Sequence, residues 1–364
     1  MARRSVDPAR RLRARRASAQ LLSGPGASSP VVVVERLLAV QAQDLRAARL
    51  ALRARGRGFA ATDVDRALSV ERSLVVGWLG RQTLHMVAAD DYSWLLGLTA
   101  PTGTATGRRR LHGEHVTPGA AERAVAIVER ALFEEGPLTR PELAERIAAH
   151  GIRAEGQATP HLLALAARRG VAVLGPTREG IQAFALASDW LGAAPPGHLG
   201  RDDRTAALAE LARRYLAGHG PGTAADLAAW IGLPLRDARA GLQSIAGELA
   251  ELGGGLVELR ARDRTPARLP ARLLPAFDPY LLGWKDRSFC VAASHARRVH
   301  PGGGILRAVA TADGLAVATW AARRRGARLR VEIEPFAPLA PSVDRALKAE
   351  AAGVARFEGL GLAG

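Results

Sequence analysis

The feature that most constrains this chain is a nine-residue pattern that occurs twice. "GPLTRPELA" starts at Gly136 and "GPGTAADLA" at Gly220, and both read Gly-Pro-x-Thr-x-x-acid-Leu-Ala. The threonine predicts a helix N-cap and the acid three residues on predicts a capping box, Thr139 with Glu142 and Thr223 with Asp226, aspartate being the weaker partner. Each copy follows one helical segment and precedes another ("TPHLLALAARRG"; "LRDARAGLQSIAGEL"), after which comes a strand-like stretch, "VAVLG" at 171–175 or "GLVELRAR" at 255–262. Helix, turn, capped helix, helix and strand is the order of a winged helix-turn-helix.

The first hundred residues read as a less regular third copy. Helices are expected near 9–22, over 30–39 with Ser29 as cap and Pro30 at the first position, and near 45–55, with strand-like sequence at 73–88. After about residue 265 the period changes. Asp313-Gly314 between two apolar runs predicts a hairpin, and "RLRVEIEPF" alternates Leu329, Val331 and Ile333 with Arg328, Arg330 and Glu332, a half-buried strand. A helix near 342–357 closes the chain. The expected fold class is α+β: three tandem winged helices with a C-terminal antiparallel, barrel-like β module. The boundaries are 1–115, 116–195, 196–265 and 266–364.

Formal charge narrows the function. Fifty-one Lys and Arg face 35 Asp and Glu, a net charge of +16. A surplus of this size attracts polyanions and makes nucleic-acid association fast and salt-dependent. One cysteine, Cys290, rules out an internal disulfide framework and a cysteine-built zinc site. No apolar run approaches the roughly 20 residues of a membrane span, and the basic N-terminus lacks the apolar core of a secretory signal. A cytoplasmic, nucleoid-associated monomer needing no cofactor or metal is expected. His112 and His115 flank Gly113 without an evident third ligand and read as a basic loop. His85 reads as a structural histidine.

One stretch raises a chemical question. "LLAVQAQDLRAARLALRARG" (37–56) carries Gln41 and Gln43 two apart. On an unbroken helix such residues stand about 200° apart, so they serve one site only if the helix ends there. Asp44 is a good N-cap for a new helix and Gly56 a good stop, which turns 40–44 into a turn. Gln41 and Gln43 are then either polar turn residues, ligands of a phosphate or base edge, or a pair holding a water.

"LLAVQAQD", together with "GRQTLHMVAADDYSWLL" (80–96) and "LLPAFDPYLLGWKDR" (273–287), resembles the AlkZ-like (YcaQ-related) winged-helix DNA glycosylases in family order over nearly the whole chain. The resemblance implies that Gln41-Ala42-Gln43 is the catalytic Gln-apolar-Gln motif, in the version tied to bulky or crosslinking adducts. The usual "RGTLH" appears here as Arg81-Gln82-Thr83-Leu84-His85. It further implies excision of alkylated purines from double-stranded DNA, in repair or in self-resistance to a genotoxin. Asp44 is first a helix cap and second an electrostatic helper for a developing cation. Arg46, Arg49, Arg81, Arg108, Arg109, Arg110, Arg323, Arg324 and Arg325 are the candidate DNA contacts. The alternatives are a non-catalytic winged-helix DNA binder and, third, a small-molecule enzyme using a pocket in the β module.

Overall fold

The computed structural model describes residues 7–178, 181–193, 195, 199–261 and 268–363. The expected boundaries at 195/196 and 265/266 fall at or within segments outside those residues. Helices α1 (Pro8–Ala19), α2 (Pro30–Leu37) and α3 (Leu45–Arg53) come first, with strand β1 (Val40–Gln41) between the last two. Helix α4 (Ala61–Ser69) leads to β2 (Leu74–Trp78), β3 (Leu84–Ala88), α5 (Ala89–Thr99), α6 (Thr104–Gly113) and α7 (Pro118–Glu135). Strand β4 (Leu138–Thr139) precedes α8 (Arg140–Ala149), α9 (Ala158–Arg168), β5 (Ala172–Arg178), β6 (Ile181–Leu186) and α10 (Ala187–Leu191). Then follow α11 (Arg201–His219), α12 (Ala224–Ile231), α13 (Leu235–Ser244), β7 (Leu249–Glu251) and β8 (Val257–Leu259). The last part holds β9 (Arg272–Leu274), α14 (Pro279–Leu282), α15 (Ala296–Val299), β10 (Val309–Ala312), β11 (Leu315–Arg325), β12 (Arg328–Pro335), α16 (Pro341–Phe357) and β13 (Gly361–Leu362). The α+β class is as expected.

Both capping boxes form. The Thr139 N–H and hydroxyl each donate to the Glu142 carboxylate at 2.7 Å. Thr223 does the same to Asp226 at 3.0 and 2.9 Å, and the Asp226 N–H donates back to the Thr223 hydroxyl at 3.1 Å. The shorter acid still closes its box. The repeat extends into strand pairing: its third residue, Leu138 in one copy and Gly222 in the other, sits beside the second strand of the hairpin that follows. Leu138 pairs with Phe184 of β6, and Gly222 bridges Val257 of β8.

The chain divides into two compact units. One comprises residues 1–64, 209–230 and 238–364, and the other 65–208 and 231–237. In the second, the strands run β3-β2-β5-β6-β4. β2 and β3 are buried along nearly their whole lengths, as befits a sheet covered on both faces. The β2–β3 hairpin of the expected third copy belongs to this unit, whereas α1 to α3 belong to the first, and α4, an additional helix beyond those expected, stands between them in the chain.

In the first unit β13-β12-β11-β10-β9 form a curled half-barrel sheet. Asp313 (φ +47°) and Gly314 (φ +73°) make the β10–β11 turn, the two positive φ values that a type I′ hairpin demands. The module is not wholly antiparallel. β13 lies parallel to β12, Arg328 beside Gly361, because the chain returns to the sheet through α16, and a crossover of that kind delivers a parallel strand. Ala17 of α1 and Ala54 at the end of α3 share a core with Leu274, Tyr280, Trp284 and Phe289, so the N-terminal helices and the β module bury one apolar surface. Cys290 lies in that core and burial pushes its thiol up to about 12, which makes it packing rather than a nucleophile.

Candidate active site

Helix α2 ends abruptly. Leu38 adopts φ +63° and ψ −44°, and the Ala39 N–H donates to the Leu37 carbonyl at 2.8 Å, closing a γ-turn around a fully buried leucine. This conformation is rare and strained for a residue with a side chain. Helix α11 supports it. Arg214 Nη2 donates to the Glu35 carbonyl at 2.9 Å, satisfying one of the carbonyls the helix end leaves open. A Cβ on Gly218 would lie 2.2 Å from the Arg36 carbonyl oxygen, so only glycine lets α11 approach this closely.

Beyond the turn the chain runs extended through Val40 and Gln41. Burial alternates: Val40 and Ala42 are buried, Gln41 half-buried and Gln43 exposed. Side chains two apart in an extended segment share a face, and this period of two is what the helix break was expected to supply. The break falls earlier than expected, at Leu38 rather than near 39. Asp44 then caps α3, its carboxylate accepting from the Ala47 N–H at 3.1 Å. The motif is thus held between a strained turn and a capped helix.

The arginines after it divide by role. Arg46 makes two bonds to Glu358 at 2.7 and 2.9 Å, and its Nη1 also reaches the Ala322 carbonyl at 3.4 Å. That hydrogen bond to Glu358 raises the Arg46 pKa further. The candidate contact Arg46 is therefore already engaged, and it ties the start of α3 to the residue before Arg323. Arg53 reaches Glu350 at 2.7 Å. Arg55 is wholly buried with Asp278 at 2.7 and 2.9 Å, donating as well to Gln20 Oε1 at 2.6 Å. Arg49, also a candidate, is half-buried on α3.

Arg323, Arg324 and Arg325 stand at the exposed end of the β11–β12 hairpin. There Arg323 faces Arg330 and Arg325 faces Arg328 across the strands. Like charges directly opposite destabilise a hairpin, so this tip is assembled against local electrostatics.

The remaining candidates lie in the second unit. Arg108, Arg109 and Arg110 are exposed on α6. Arg81 and Gln82 form the β2–β3 turn with φ +53° and +59°, and the Thr83 N–H and hydroxyl both donate to the Gly80 carbonyl. Gln82 therefore occupies, in a left-handed conformation, the position where the resembling family carries glycine. His85 Nδ1 donates to the Thr83 carbonyl at 3.0 Å. Burial, with Arg81 nearby, pushes its imidazole down to about 3, so it is a neutral strut for this turn rather than an acid. Among the described residues no group of three His, Cys, Asp or Glu side chains is placed to hold a metal.

Sequence reasoning missed Asp278, Gln20 and Glu358. Only Asp278 has a local signal: it N-caps α14 with Pro279 at the first position.

A family model described as DNA glycosylase AlkZ-like matches residues 34–357. Among solved structures, the Streptomyces sahachiroi DNA glycosylase AlkZ is similar at 27% identity, with a TM-score of 0.77 over 97% of this chain and 98% of that one. No curated protein matches the chain.

Proposed function

This chain belongs to the AlkZ-like DNA glycosylase family, and we infer that it excises purines alkylated at N7 or N3 from double-stranded DNA, with Gln41 and Gln43 as the catalytic pair. The observation that carries this reading is the exposure pattern of the motif. Two neutral amides reach the surface on either side of a buried alanine, next to a carboxylate already serving as a helix cap.

Neutral side chains suffice for such a substrate. A ring-alkylated purine is cationic, so its C1′–N bond breaks with the electron pair passing to the base, which departs neutral. The sugar develops oxocarbenium character, water adds its oxygen to C1′, and the proton released passes to solvent. Gln43 orients the water, and Gln41 holds it or the adjacent sugar-phosphate in line, which is positioning and dipole stabilisation rather than proton abstraction. The Asp44 carboxylate adds a favourable field for the cation. The reaction is monofunctional: the chain has only two lysines, Lys285 and Lys348, neither in the motif segment, and Lys348 is paired with Asp344 on α16.

Binding rests on surplus positive charge. The repeated helix–turn–helix–hairpin units read as winged helices, and the arginine-crowded tip of β11–β12 is a phosphate or groove contact whose self-repulsion a polyanion relieves. Arg49, Arg81 and Arg108 to Arg110 are the further candidates, with Arg46 contributing through its exposed part. Monomeric action and a role in repair or self-resistance, including the opening of interstrand crosslinks, complete the proposal. The test is a duplex carrying one N7-methylguanine: incubation with the protein followed by hot alkali cleaves the strand at the lesion, whereas an unmodified duplex stays whole. Binding without cleavage favours the non-catalytic alternative.

A further inference from the structure

The first unit contains a cavity of about 300 Å³ behind α3, bounded by the Gly56–Phe59 loop, β9 and the end of α16. Its lining holds four guanidinium groups, Arg53, Arg57, Arg272 and Arg356, against a single carboxylate, Glu350. That carboxylate is fully committed. Glu350 accepts from Arg53 at 2.7 Å, from Arg272 at 3.4 Å and from the Leu273 backbone N–H at 3.1 Å. Arg272 Nε is closed off from solvent and has no hydrogen-bond partner among the described residues. The Arg57 and Arg356 side chains, both exposed, make no ion pair or hydrogen bond among the described residues. The Arg53 guanidinium lies against Gly353, where a Cβ would meet its Nη2 at 2.3 Å.

Such an arrangement is costly unless something else shares it. Burial lowers the Arg272 pKa, Glu350 opposes that shift, and Arg53 adds to it. Arginine stays charged in proteins, so the cavity does not shed its charge by losing a proton. An anion with several acceptor oxygens gives the exposed Arg57 and Arg356 guanidiniums of this cavity a partner, with the forked geometry arginine presents to phosphate.

We propose that this cavity is a phosphate site, occupied by a group from the DNA backbone or from a free phosphate compound. Its lining does not include Gln41 or Gln43 and it needs no glycosylase chemistry, so it stands or falls independently of that reading. The probes are inorganic phosphate and an unmodified duplex, applied to the full-length protein. The variants are Arg57→Gln/Arg356→Gln and a charge-matched control, Arg297→Gln/Arg345→Gln, all four positions being exposed.

At constant ionic strength, replacing chloride with tens of millimolar phosphate raises the unfolding midpoint of wild type and control by about 2 °C, and this gain is lost in Arg57→Gln/Arg356→Gln. A fall of about two in the salt slope of duplex binding, confined to that variant, assigns the site to backbone phosphates. An unchanged slope with the phosphate response still lost assigns it to a free phosphate compound. Equal responses to phosphate in all three proteins overturn the proposal, whatever the duplex shows.

Discussion

Arg55 and Asp278 meet in a bidentate ion pair in which neither side chain is exposed to solvent, although 223 residues separate them. The pair joins the end of α3, the helix that follows the glutamine motif, to the start of α14. Gln20 completes it from α1, and Asp278 also accepts from the Tyr280 N–H at 2.8 Å. One buried network therefore sets the seat of α3. Removing one partner leaves the other charge buried and uncompensated, which costs about 3–5 kcal/mol. Arg55→Met and Asp278→Asn are each expected to lower the urea midpoint of unfolding by that equivalent. Combining Arg55→Met with Asp278→Leu recovers part of the loss, because no lone charge remains.

Gly218 offers a test of how the motif is held. A glycine within a helix normally costs about 0.5–1 kcal/mol relative to alanine, so Gly218→Ala ought to stabilise α11. The close approach of the Arg36 carbonyl reverses the sign, since a 2.2 Å contact with backbone forces the helices apart. Overpacking of this kind costs about 1–3 kcal/mol. The expected result is a lower unfolding midpoint together with at least tenfold slower base release, while affinity for unmodified duplex changes little. A stabilised variant of normal activity contradicts the buttress.

Gln82 sits at φ +59° with Arg81 at +53° beside it. A left-handed residue with a Cβ costs about 1–2 kcal/mol, and glycine avoids that at an entropic cost of about 0.5–1 kcal/mol. Gln82→Gly is expected to stabilise the protein by about 0.5–1 kcal/mol, and Gln82→Val to destabilise it, in thermal or urea unfolding.

Two buried histidines set a pH dependence. Burial pushes His85 and His219 down to about 3 from an ordinary 6.5, with Arg81 assisting at His85 and Arg55 at His219. The unfolded chain takes up those protons first, so stability is unaffected above pH 6.5 and falls as pH drops from 6.5 toward 3, by about 1.4 kcal/mol per unit for each histidine. The His219 ring stacks on Tyr215 with centroids 5.1 Å apart, deep in the core. His219→Leu is expected to reduce the slope of midpoint against pH below 6.5 by about half, and an unchanged slope contradicts the assignment.

What the sequence made legible is what local rules govern. The duplicated threonine boxes, the Asp313-Gly314 turn, the alternating strand and the Asp44 cap follow from chemistry within a few residues, and each stands where it was expected. The Leu38 turn has no such signature, because a leucine at positive φ is imposed by packing from α11, nearly 180 residues away. The partners of Arg46, Arg53 and Arg55 are Glu358, Glu350 and Asp278, far along the chain, so no local rule announces that α3 and the residues behind it are tied to the β module. The parallel edge strand β13 was invisible for a similar reason: two residues pair only because α16 returns them to the sheet. Within the candidate site, the helix break could be argued from residue spacing. The proposed catalytic role rests on the family resemblance.

The most direct measurement is single-turnover release of N7-methylguanine from a duplex by wild type, Gln41→Ala and Gln43→Ala, with duplex affinity measured in parallel. Release at least a hundredfold slower in Gln43→Ala, slowed also in Gln41→Ala, with affinities within a few-fold of wild type, is the result predicted for residues that position the attacking water. Undiminished release by both variants contradicts the central claim.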